Sequence, residues 1–324
     1  MLIWHFDIYK KNWALSQIDL MQEALIPPST LFKYRDDSER TETIFKTRKV
    51  WLSSPSQLND PLECKTGEIP KKWETATIRQ LEVSQLSGML GLPGQELPAT
   101  LFSLSARQTK RWRKRFRGLS HKQQVAAMRQ LHADHGMELS RPKDIFEDMR
   151  KRLKAVGVFS LSEAIDNELM WAHYGGNHSG VALGFGCAPN CKLVKPRHTL
   201  PVTYASEKPT FKTGFKNEIA FYAAPGGGTR SISRVSFEDD VFRAAISTKT
   251  PAWNYEREWR YVEESSGLFD WPGPLISVTF GLKMTRERRN HYRGLAEAVA
   301  GKDVRFFEIQ LSRSLGGLIV SECR

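Results

Sequence analysis

Long apolar runs are absent from this sequence. No stretch of about 18 consecutive apolar residues occurs in its 324 residues, so the sequence holds no candidate transmembrane helix. The opening residues, MLIWHFDIYKKNWAL, also lack the basic start and the small-residue cleavage site of a signal peptide. These absences predict a cytoplasmic protein without a membrane partner.

Cysteine is scarce. Four cysteines in a chain of this length are too few for a disulfide scaffold. Cys187 and Cys191 are close in sequence, but no second cysteine pair accompanies them and only His198 lies nearby as a further metal ligand. The sequence therefore predicts a reduced protein with no metal site.

Internal repeats and regular βαβ alternation are absent as well. Alternating β-favouring residues instead predict strands around one cleft, at residues 30–35, 157–162, 179–186 and 255–262. Residues 65–155 are polar, basic and rich in helical spacing. This mixture predicts an α+β fold, with a central mixed or antiparallel sheet around the cleft and a helical insertion.

Three segments follow from these patterns. Residues 1–64 are predicted to form an N-terminal helix, at 15–25, and the first part of the α+β core. Residues 65–155 form the basic helical insertion, and residues 156–324 form the rest of the core.

Positive charge is abundant. The formal net charge of +12 favours a polyanionic partner such as RNA or DNA, or an anionic ligand; an evenly charged surface is the alternative. Residues 107–118, RQTKRWRKRFRG, interleave cations with aromatics, which suits phosphate contacts combined with base stacking. The equally weighted alternative is a solvated helix face with inward-packed aromatics. The candidate nucleic-acid contacts are Lys110, Arg111, Trp112, Arg113, Lys114, Arg115 and Arg117.

Residues 253–262, WNYEREWRYV, bring two carboxylates together. In a strand, which the aromatics and Pro251 favour, Glu256, Glu258 and Arg260 share one face. Two neighbouring carboxylates repel, and the repulsion raises the pKa of one of them. The alternative is a structural ladder of cross-strand salt bridges.

Two further stretches contain candidate ligand-binding residues. In FKYR, Lys33 and Arg35 share a strand face and suit phosphates or ribose hydroxyls; a cationic edge facing solvent is the alternative. In LMWAHYGGNHSG, Trp171 and Tyr174 lie on one helix face and can clamp a flat ring, whereas core packing is the alternative.

Several stretches together resemble a bacterial family known only as a domain of unknown function. They are LFKYR, VWLSSPSQLNDPLE, VFSLS, LMWAHYGGNHSGVALGF and KTPAWNYEREWRYV. The resemblance covers roughly residues 30–64 and 156–310, and it implies no activity by itself.

The order of these motifs is also distantly similar to the ADP-ribosyltransferase superfamily. The similarity is carried by a polar residue on the first strand, an aromatic before a glycine-rich strand and a late glutamate. It implies that Glu258 is the catalytic carboxylate, helped by Glu256 and Tyr174. The NAD-binding residues that it implies are Arg35, Lys33, Ser160 and Trp171, with Ser160-Leu161-Ser162 only approximating the Ser-Thr-Ser motif and no histidine on the first strand.

The function implied by that similarity consumes NAD as a substrate. Cleavage of the nicotinamide–ribose bond develops oxocarbenium charge, which a carboxylate stabilises. The protein is then an ADP-ribosyltransferase or an NAD glycohydrolase, as a toxin or phage-defence effector that acts on nucleic acid or protein. The alternatives are a non-catalytic nucleic-acid-binding module and a nuclease-like effector that uses His173, His178 and the acids.

Overall fold

The chain divides into two compact units. The computed structural model describes residues 2–6, 26–90, 98–211, 215–223, 229–312 and 316–323. The helical unit comprises Met1–Lys11, Thr66–Lys151 and Thr210–Phe242, and the sheet unit comprises Asn12–Lys65, Arg152–Pro209 and Arg243–Arg324. The helix predicted at residues 15–25 lies outside the described residues.

The secondary structure mixes strands and helices throughout. The strands are β1 (Leu2–Phe6), β2 (Thr30–Arg35), β3 (Lys49–Leu52), β4 (Met137–Leu139), β5 (Gly157–Ser162), β6 (Val181–Gly186), β7 (Thr199–Pro201), β8 (Thr203–Tyr204), β9 (Asn217–Ala223), β10 (Thr229–Val235), β11 (Thr248–Lys249), β12 (Glu258–Glu263), β13 (Gly267–Asp270), β14 (Leu275–Phe280), β15 (Arg305–Leu311) and β16 (Leu318–Glu322). The α-helices are α1 (Glu39–Thr47), α2 (Lys71–Leu90), α3 (Ala106–Arg117), α4 (His121–Ala133), α5 (Asp144–Ala155), α6 (Glu168–His173), α7 (Asp240–Ser247) and α8 (Arg286–Ala300).

An eight-stranded sheet forms the centre of the sheet unit. Its strand order is β16-β15-β14-β6-β2-β5-β12-β7. The β14–β15 pair is parallel, because α8 crosses between the two strands, and the other neighbouring pairs are antiparallel. The predicted α+β class with a large mixed sheet is confirmed.

Strand β6 is the most buried strand of this sheet. All of β6 is buried, and the aromatic rings of Phe159 on β5 and Phe185 on β6 meet edge to face with centroids 6.1 Å apart. Helices α1 and α8 pack together through Phe45 and Tyr292. At the start of β6, a Cβ on Gly180 would lie 2.1 Å from the carbonyl oxygen of Arg35, so the close approach of β2 requires glycine there.

A small two-stranded sheet lies beside β5. Strand β3 pairs with β13 in antiparallel register, and a bridge between Ser53 and Val158 joins the end of β3 to β5. The β3 strand alternates regularly: Lys49 and Trp51 are exposed, whereas Val50 and Leu52 are completely buried.

The predicted strands are confirmed in most places. Strands β2 and β5 match the predicted ranges, and β6 begins slightly later than predicted. The prediction for 255–262 is wrong at its start, because Pro251–Glu256 forms a 3₁₀ helix and β12 begins only at Glu258. Proline at the first helical position favours that turn, and Arg257 ends it with a left-handed φ of 45°.

The helical unit contains a sheet of its own. Its strand order is β1-β9-β10-β4, with β10–β4 parallel and the other pairs antiparallel. Residues 210–242 therefore belong to the same unit as residues 66–151, whereas the sequence pattern grouped them with the core at residues 156–324. Sequence pattern identifies a strand but not its partner, and here β10 pairs with β4 across about ninety intervening residues, as in Ser231 opposite Leu139.

No helix in the described ranges combines the length and apolarity needed to cross a membrane.

Candidate functional site

A cavity of about 660 Å³ opens in the sheet unit. Its volume falls within the range of about 300–1,000 Å³ that is common for small-molecule sites. Strands β2, β3 and β5 supply much of its lining, together with the segment that leads from β11 into β12. Its polar lining residues are Lys33, Arg35, Arg40, Thr43, Lys49, Ser53, Gln57, Asn59, Glu63, Ser160, Ser162, Tyr174, Lys249, Glu256 and Glu258.

Buried charges form one side of this cavity. We call Glu63, Lys249, Glu256, Glu258 and Arg260 the carboxylate cluster; all five residues are buried. The Nζ atom of Lys249 lies 2.6 Å from Oε2 of Glu256, and it lies 3.3 Å from a carboxylate oxygen of both Glu63 and Glu258. Lys249 thus holds three acids from separate places in the chain around one ammonium group.

Arg260 provides the second cation of the carboxylate cluster. Its Nε and one terminal nitrogen donate to the two oxygens of Glu258, at 2.9 and 3.1 Å, and that same nitrogen also binds Glu63. The other terminal nitrogen donates to the carbonyl oxygen of Ile246 at 2.5 Å. Bidentate pairing of this kind fixes the geometry of a carboxylate.

The pKa values of the two central acids shift in opposite directions. Burial alone would raise the pKa of Glu258, but the charges of Arg260 and Lys249 outweigh it and lower the pKa to about 2. Burial raises the pKa of Glu256 above its usual value, and the nearby charge of Glu258 acts in the same direction against the opposing effect of Lys249. Three carboxylates face two cations, so the cluster holds one surplus negative charge, and Glu256 is the acid that is least stabilised.

Tyr174 connects Glu256 to the cavity. Its hydroxyl donates to Oε1 of Glu256 at 2.6 Å and accepts a hydrogen bond from the side-chain amide of Asn59 at 3.3 Å. Burial, reinforced by the bond to Glu256, raises the pKa of the Tyr174 hydroxyl, which therefore stays protonated as a donor. Asn167 caps the start of α6, and Gly176, with a φ of 57°, turns the chain just beyond Tyr174.

Four further cations line the same cavity. We call Lys33, Arg35, Arg40 and Lys49 the cationic wall. Lys33 donates to the carbonyl oxygen of Ser160 at 2.9 Å, and Arg35 makes a long bond of 3.4 Å to Thr41 Oγ1. Burial, and then the charge of Arg35, lower the pKa of Lys33 to about 8. Among the described residues, no carboxylate lies within salt-bridge distance of these four side chains, so the wall is suited to an anionic ligand.

Six of the seven residues predicted as catalytic or NAD-binding line this one cavity. They are Lys33, Arg35, Ser160, Tyr174, Glu256 and Glu258. The seventh, Trp171, is completely buried; its indole nitrogen donates to the carbonyl of Ile165 at 2.7 Å, and its ring packs edge-on against Tyr34. The predicted Trp171–Tyr174 clamp is therefore wrong, because Trp171 faces the core from its short helix.

Two residues of the carboxylate cluster, Glu63 and Lys249, were not predicted from the sequence. The only sequence signal for Glu63 was an acid between Leu62 and Cys64, directly after a turn. Lys249 is placed by the short pairing of β11 with β8, which also brings the Tyr204 hydroxyl to the backbone amide of Glu258 at 2.8 Å. His173 and His178 do not line the cavity, so the nuclease-like interpretation lacks histidines beside these acids.

Helix α3, in the helical unit, carries the predicted basic segment. Trp112 and Phe116 stack on each other with centroids 4.4 Å apart and pack on the core of this unit, and Arg113 donates to the carbonyl oxygens of Met89 and Pro98. The predicted outward stacking by Trp112 is therefore wrong, and the alternative of inward-packed aromatics is confirmed. The exposed cations of α3 are Arg107, Lys110, Arg111, Lys114, Arg115 and Arg117, and we call them the basic face.

No group of three or more His, Cys, Asp or Glu side chains in the described part of the chain is arranged to hold a metal ion.

Comparison with known proteins identifies one similarity. Residues 170–261 match the profile of a family described as "Protein of unknown function (DUF2971)". This stretch contains Tyr174, Lys249, Glu256, Glu258 and Arg260, so much of the carboxylate cluster lies inside it. No curated protein and no solved structure matches the chain. The predicted resemblance to a family of unknown function is confirmed for these residues, whereas the similarity to ADP-ribosyltransferases stays a prediction.

Proposed function

We propose that the cavity binds NAD and cleaves its nicotinamide–ribose bond, in the manner of an ADP-ribosyltransferase or an NAD glycohydrolase. The observation that carries this proposal is the division of charge inside one cavity. The carboxylate cluster has a surplus negative charge, and the cationic wall has no acidic partner among the described residues. NAD carries the complementary pattern, a cationic nicotinamide ring and an anionic diphosphate.

The chemistry assigned to the cavity is hydrolysis or transfer at the ribose. The C1′–N bond breaks, its electron pair leaves with nicotinamide, and positive charge develops on the ribose. A carboxylate beside the ribose stabilises that charge more strongly in the transition state than in the substrate. The oxygen of water then bonds to C1′, and its proton passes to the carboxylate and on to solvent. A nucleophile on nucleic acid or protein in place of water turns the same step into ADP-ribosyl transfer.

Glu256 suits the reacting position better than Glu258. Both oxygens of Glu258 are held by Arg260, and Lys249 adds a third contact, so Glu258 positions the two cations. Among the described residues, the Tyr174 hydroxyl alone holds one oxygen of Glu256, and this hydroxyl can turn to a ligand. A carboxylate with a raised pKa is also better matched to proton transfer near neutral pH. We therefore assign the catalytic role to Glu256, in place of the Glu258 that the ADP-ribosyltransferase similarity implied.

The experiment is incubation with NAD and measurement of nicotinamide release, alone and with RNA, DNA or protein present. Glu256→Gln keeps the shape of the side chain and removes its charge, so turnover should fall about a hundredfold or more. The melting temperature should stay close to that of the wild type, because the cluster then has equal numbers of carboxylates and cations.

Glu287→Gln is the matched control, since Glu287 is exposed on α8 and lies outside the cavity. It should retain full turnover. Full turnover in Glu256→Gln, or no loss of NAD with the wild type under any of these conditions, would contradict the proposal. Consumption of NAD or modification of a cellular target is the activity through which the protein would act as a toxin or phage-defence effector.

A second candidate function is nucleic-acid binding through the basic face of α3. The helix has no acidic residue, and its exposed cations have no ion-pair partner within the described ranges. Because the aromatics pack inward, such binding would depend on phosphate contacts and not on base stacking. Titration of labelled RNA and DNA at several salt concentrations tests this candidate function. The affinity should fall steeply as the salt concentration rises, and an affinity independent of salt would exclude binding through the basic face.

A further inference from the structure

The rim of the cavity has an apolar surface that the reaction at Glu256 does not use. Trp51 on β3 and Leu268 on β13 are directly opposite each other in the antiparallel register. Both line the cavity, yet 52% of Trp51 and 61% of Leu268 remain exposed. Cross-strand partners lie close enough for their side chains to touch. We call this pair the apolar shelf.

Cations flank the apolar shelf. Strand alternation directs Lys49, Trp51 and Ser53 to the cavity side of β3, with consecutive members about 6.6 Å apart along the strand. Arg40 reaches the same cavity from α1. Neither Lys49 nor Arg40 has a carboxylate partner within the described residues. Asp270 is the cross-strand neighbour of Lys49 but forms no salt bridge with it. A flat aromatic side chain is thus placed beside two cations whose charged groups are open to a ligand.

Other tryptophans of the sheet unit are used differently. Trp171 and Trp259 are buried and donate their indole N–H groups to Ile165 and Glu163. Trp51 instead leaves half of its surface in water at the mouth of a cavity, where a ligand ring can cover it. Aromatic rings and nucleobases stack face to face with little dependence on the base. Lysine and arginine are the side chains that bind phosphate.

We propose that the apolar shelf binds the base of a nucleotide whose phosphates contact Lys49 and Arg40. The inference rests on the proposed function, since it assigns the shelf to the adenine end of the dinucleotide and the carboxylate cluster to the nicotinamide end. Stacking is tolerant of base identity, so the shelf supplies affinity for a base without selecting adenine strongly.

The test measures equilibrium binding of AMP and of ribose 5-phosphate to the full chain by calorimetry. The two ligands share a sugar and a phosphate, and only AMP has a base. Trp51→Ala should weaken AMP binding about tenfold or more and leave ribose 5-phosphate unchanged, whereas Trp51→Phe should retain most of the AMP affinity. Lys49→Met should weaken both ligands, because it removes a phosphate contact.

Two further ligands test whether the shelf selects its base and whether the cavity fits a dinucleotide. UMP should bind within about tenfold of AMP if stacking dominates. ADP-ribose should bind more tightly than AMP if the cavity is built for a dinucleotide, and Trp51→Ala should weaken it by a similar factor. A melting curve for each variant confirms folding, and Leu268→Ala, on the other half of the shelf, gives an independent and smaller loss of AMP affinity.

Neither AMP nor ADP-ribose contains the nicotinamide bond, so the outcome does not depend on NAD cleavage. Equal AMP affinity in wild type and Trp51→Ala would overturn the assignment of the apolar shelf, even for a protein that cleaves NAD. Loss of both AMP and ribose 5-phosphate binding in Trp51→Ala would also overturn it, because stacking would then not be the contribution that was removed. The expected pattern of AMP and ribose 5-phosphate affinities would support the apolar shelf even if the protein did not cleave NAD.

Discussion

The carboxylate cluster and the basic face of α3 hold similar numbers of charges in opposite surroundings. The five charges of the cluster are buried and contact one another across separate strands and loops. The six cations of the basic face point to solvent without partners in the described residues. Net charge alone does not distinguish these cases, yet burial makes each charge of the cluster depend on its neighbours, whereas water screens each charge of α3.

The comparison predicts that removing Arg260 or the charge of Glu258 from the cluster has a large effect on stability, and that changes on α3 have small ones. Removing one partner of a buried ion pair leaves an uncompensated buried charge. Removing an exposed charge changes little besides the local field.

The largest effect is expected for Arg260→Met. The change leaves Glu63 and Glu258 buried with Lys249 as their remaining cation, and the free energy of unfolding should fall by about 3–5 kcal/mol. The measurement is the urea midpoint of the full chain. Arg257→Met is the matched control, because Arg257 is exposed and Glu163 is its ion-pair partner among the described residues, so it should cost about 1 kcal/mol or less. Equal midpoints for the two variants would mean that the buried and the exposed ion pairs contribute alike to stability.

The next effect separates Glu258 from Glu256 by its pH dependence. The pKa of Glu258 is lowered to about 2, so its ionised form stabilises the fold above its ordinary pKa of 4.5, and this contribution is lost as the pH falls from 4.5 through 2. Glu258→Gln should therefore lose on the order of 3 kcal/mol near pH 7, and the deficit should shrink towards pH 3.

Glu256 should behave in the opposite way. Its pKa is raised, so its contribution to stability is present below 4.5 and is lost as the pH rises through the folded value. Glu256→Gln should then be as stable as the wild type near pH 7, or slightly more stable. Urea denaturation from about pH 3 to pH 7 measures both variants. Parallel stability curves for the two variants would mean that the two acids share one environment.

The sequence predicted the strands better than it predicted the site. Strands β2 and β5 follow from local alternation, which depends only on neighbouring residues. Local alternation does not predict the partners of Arg260, because Glu63 lies 197 positions away and reaches Arg260 through the tertiary fold. Glu256 and Glu258 do lie close together, but the predicted reason, a shared strand face, is wrong. Glu256 ends a 3₁₀ helix, and both acids contact Lys249.

The sequence also did not predict which side chains point into the core and which point outward. Spacing placed Trp171 and Tyr174 on one helix face, but a six-residue helix with Trp171 in the core leaves only Tyr174 for the cavity. On α3, interleaved cations and aromatics suited either interpretation, and the apolar core of the helical unit decided that Trp112 turns inward.

A moderate effect on ligand affinity is expected at Lys33, where the cationic wall meets the carboxylate cluster. Its pKa of about 8 means that the ammonium loses its proton as the pH rises through 8, so the cavity then loses one cation. The affinity for ADP-ribose should fall about tenfold above pH 8, the size expected for one charge-assisted hydrogen bond. Lys33→Met should bind ADP-ribose weakly at every pH, whereas Lys49→Met should keep the pH dependence. A pH dependence that survives in Lys33→Met would assign the titration to another group.

The smallest effect on stability is expected on the basic face. Replacing Arg111, Lys114 and Arg115 by Ala should change the free energy of unfolding by about 0.5 kcal/mol or less per position, because all three are exposed and unpaired within the described residues. If α3 binds nucleic acid, however, the slope of log affinity against log salt should become shallower by about 2.7, or about 0.9 for each lost phosphate contact with a duplex. Arg113→Ala is the contrasting control. It removes two hydrogen bonds to backbone carbonyls, so it should cost about 1 kcal/mol of stability and leave the salt slope nearly unchanged. An unchanged slope in the triple variant would make the basic face a solvated surface, and the excess positive charge of the chain would then have its ligand in the cavity.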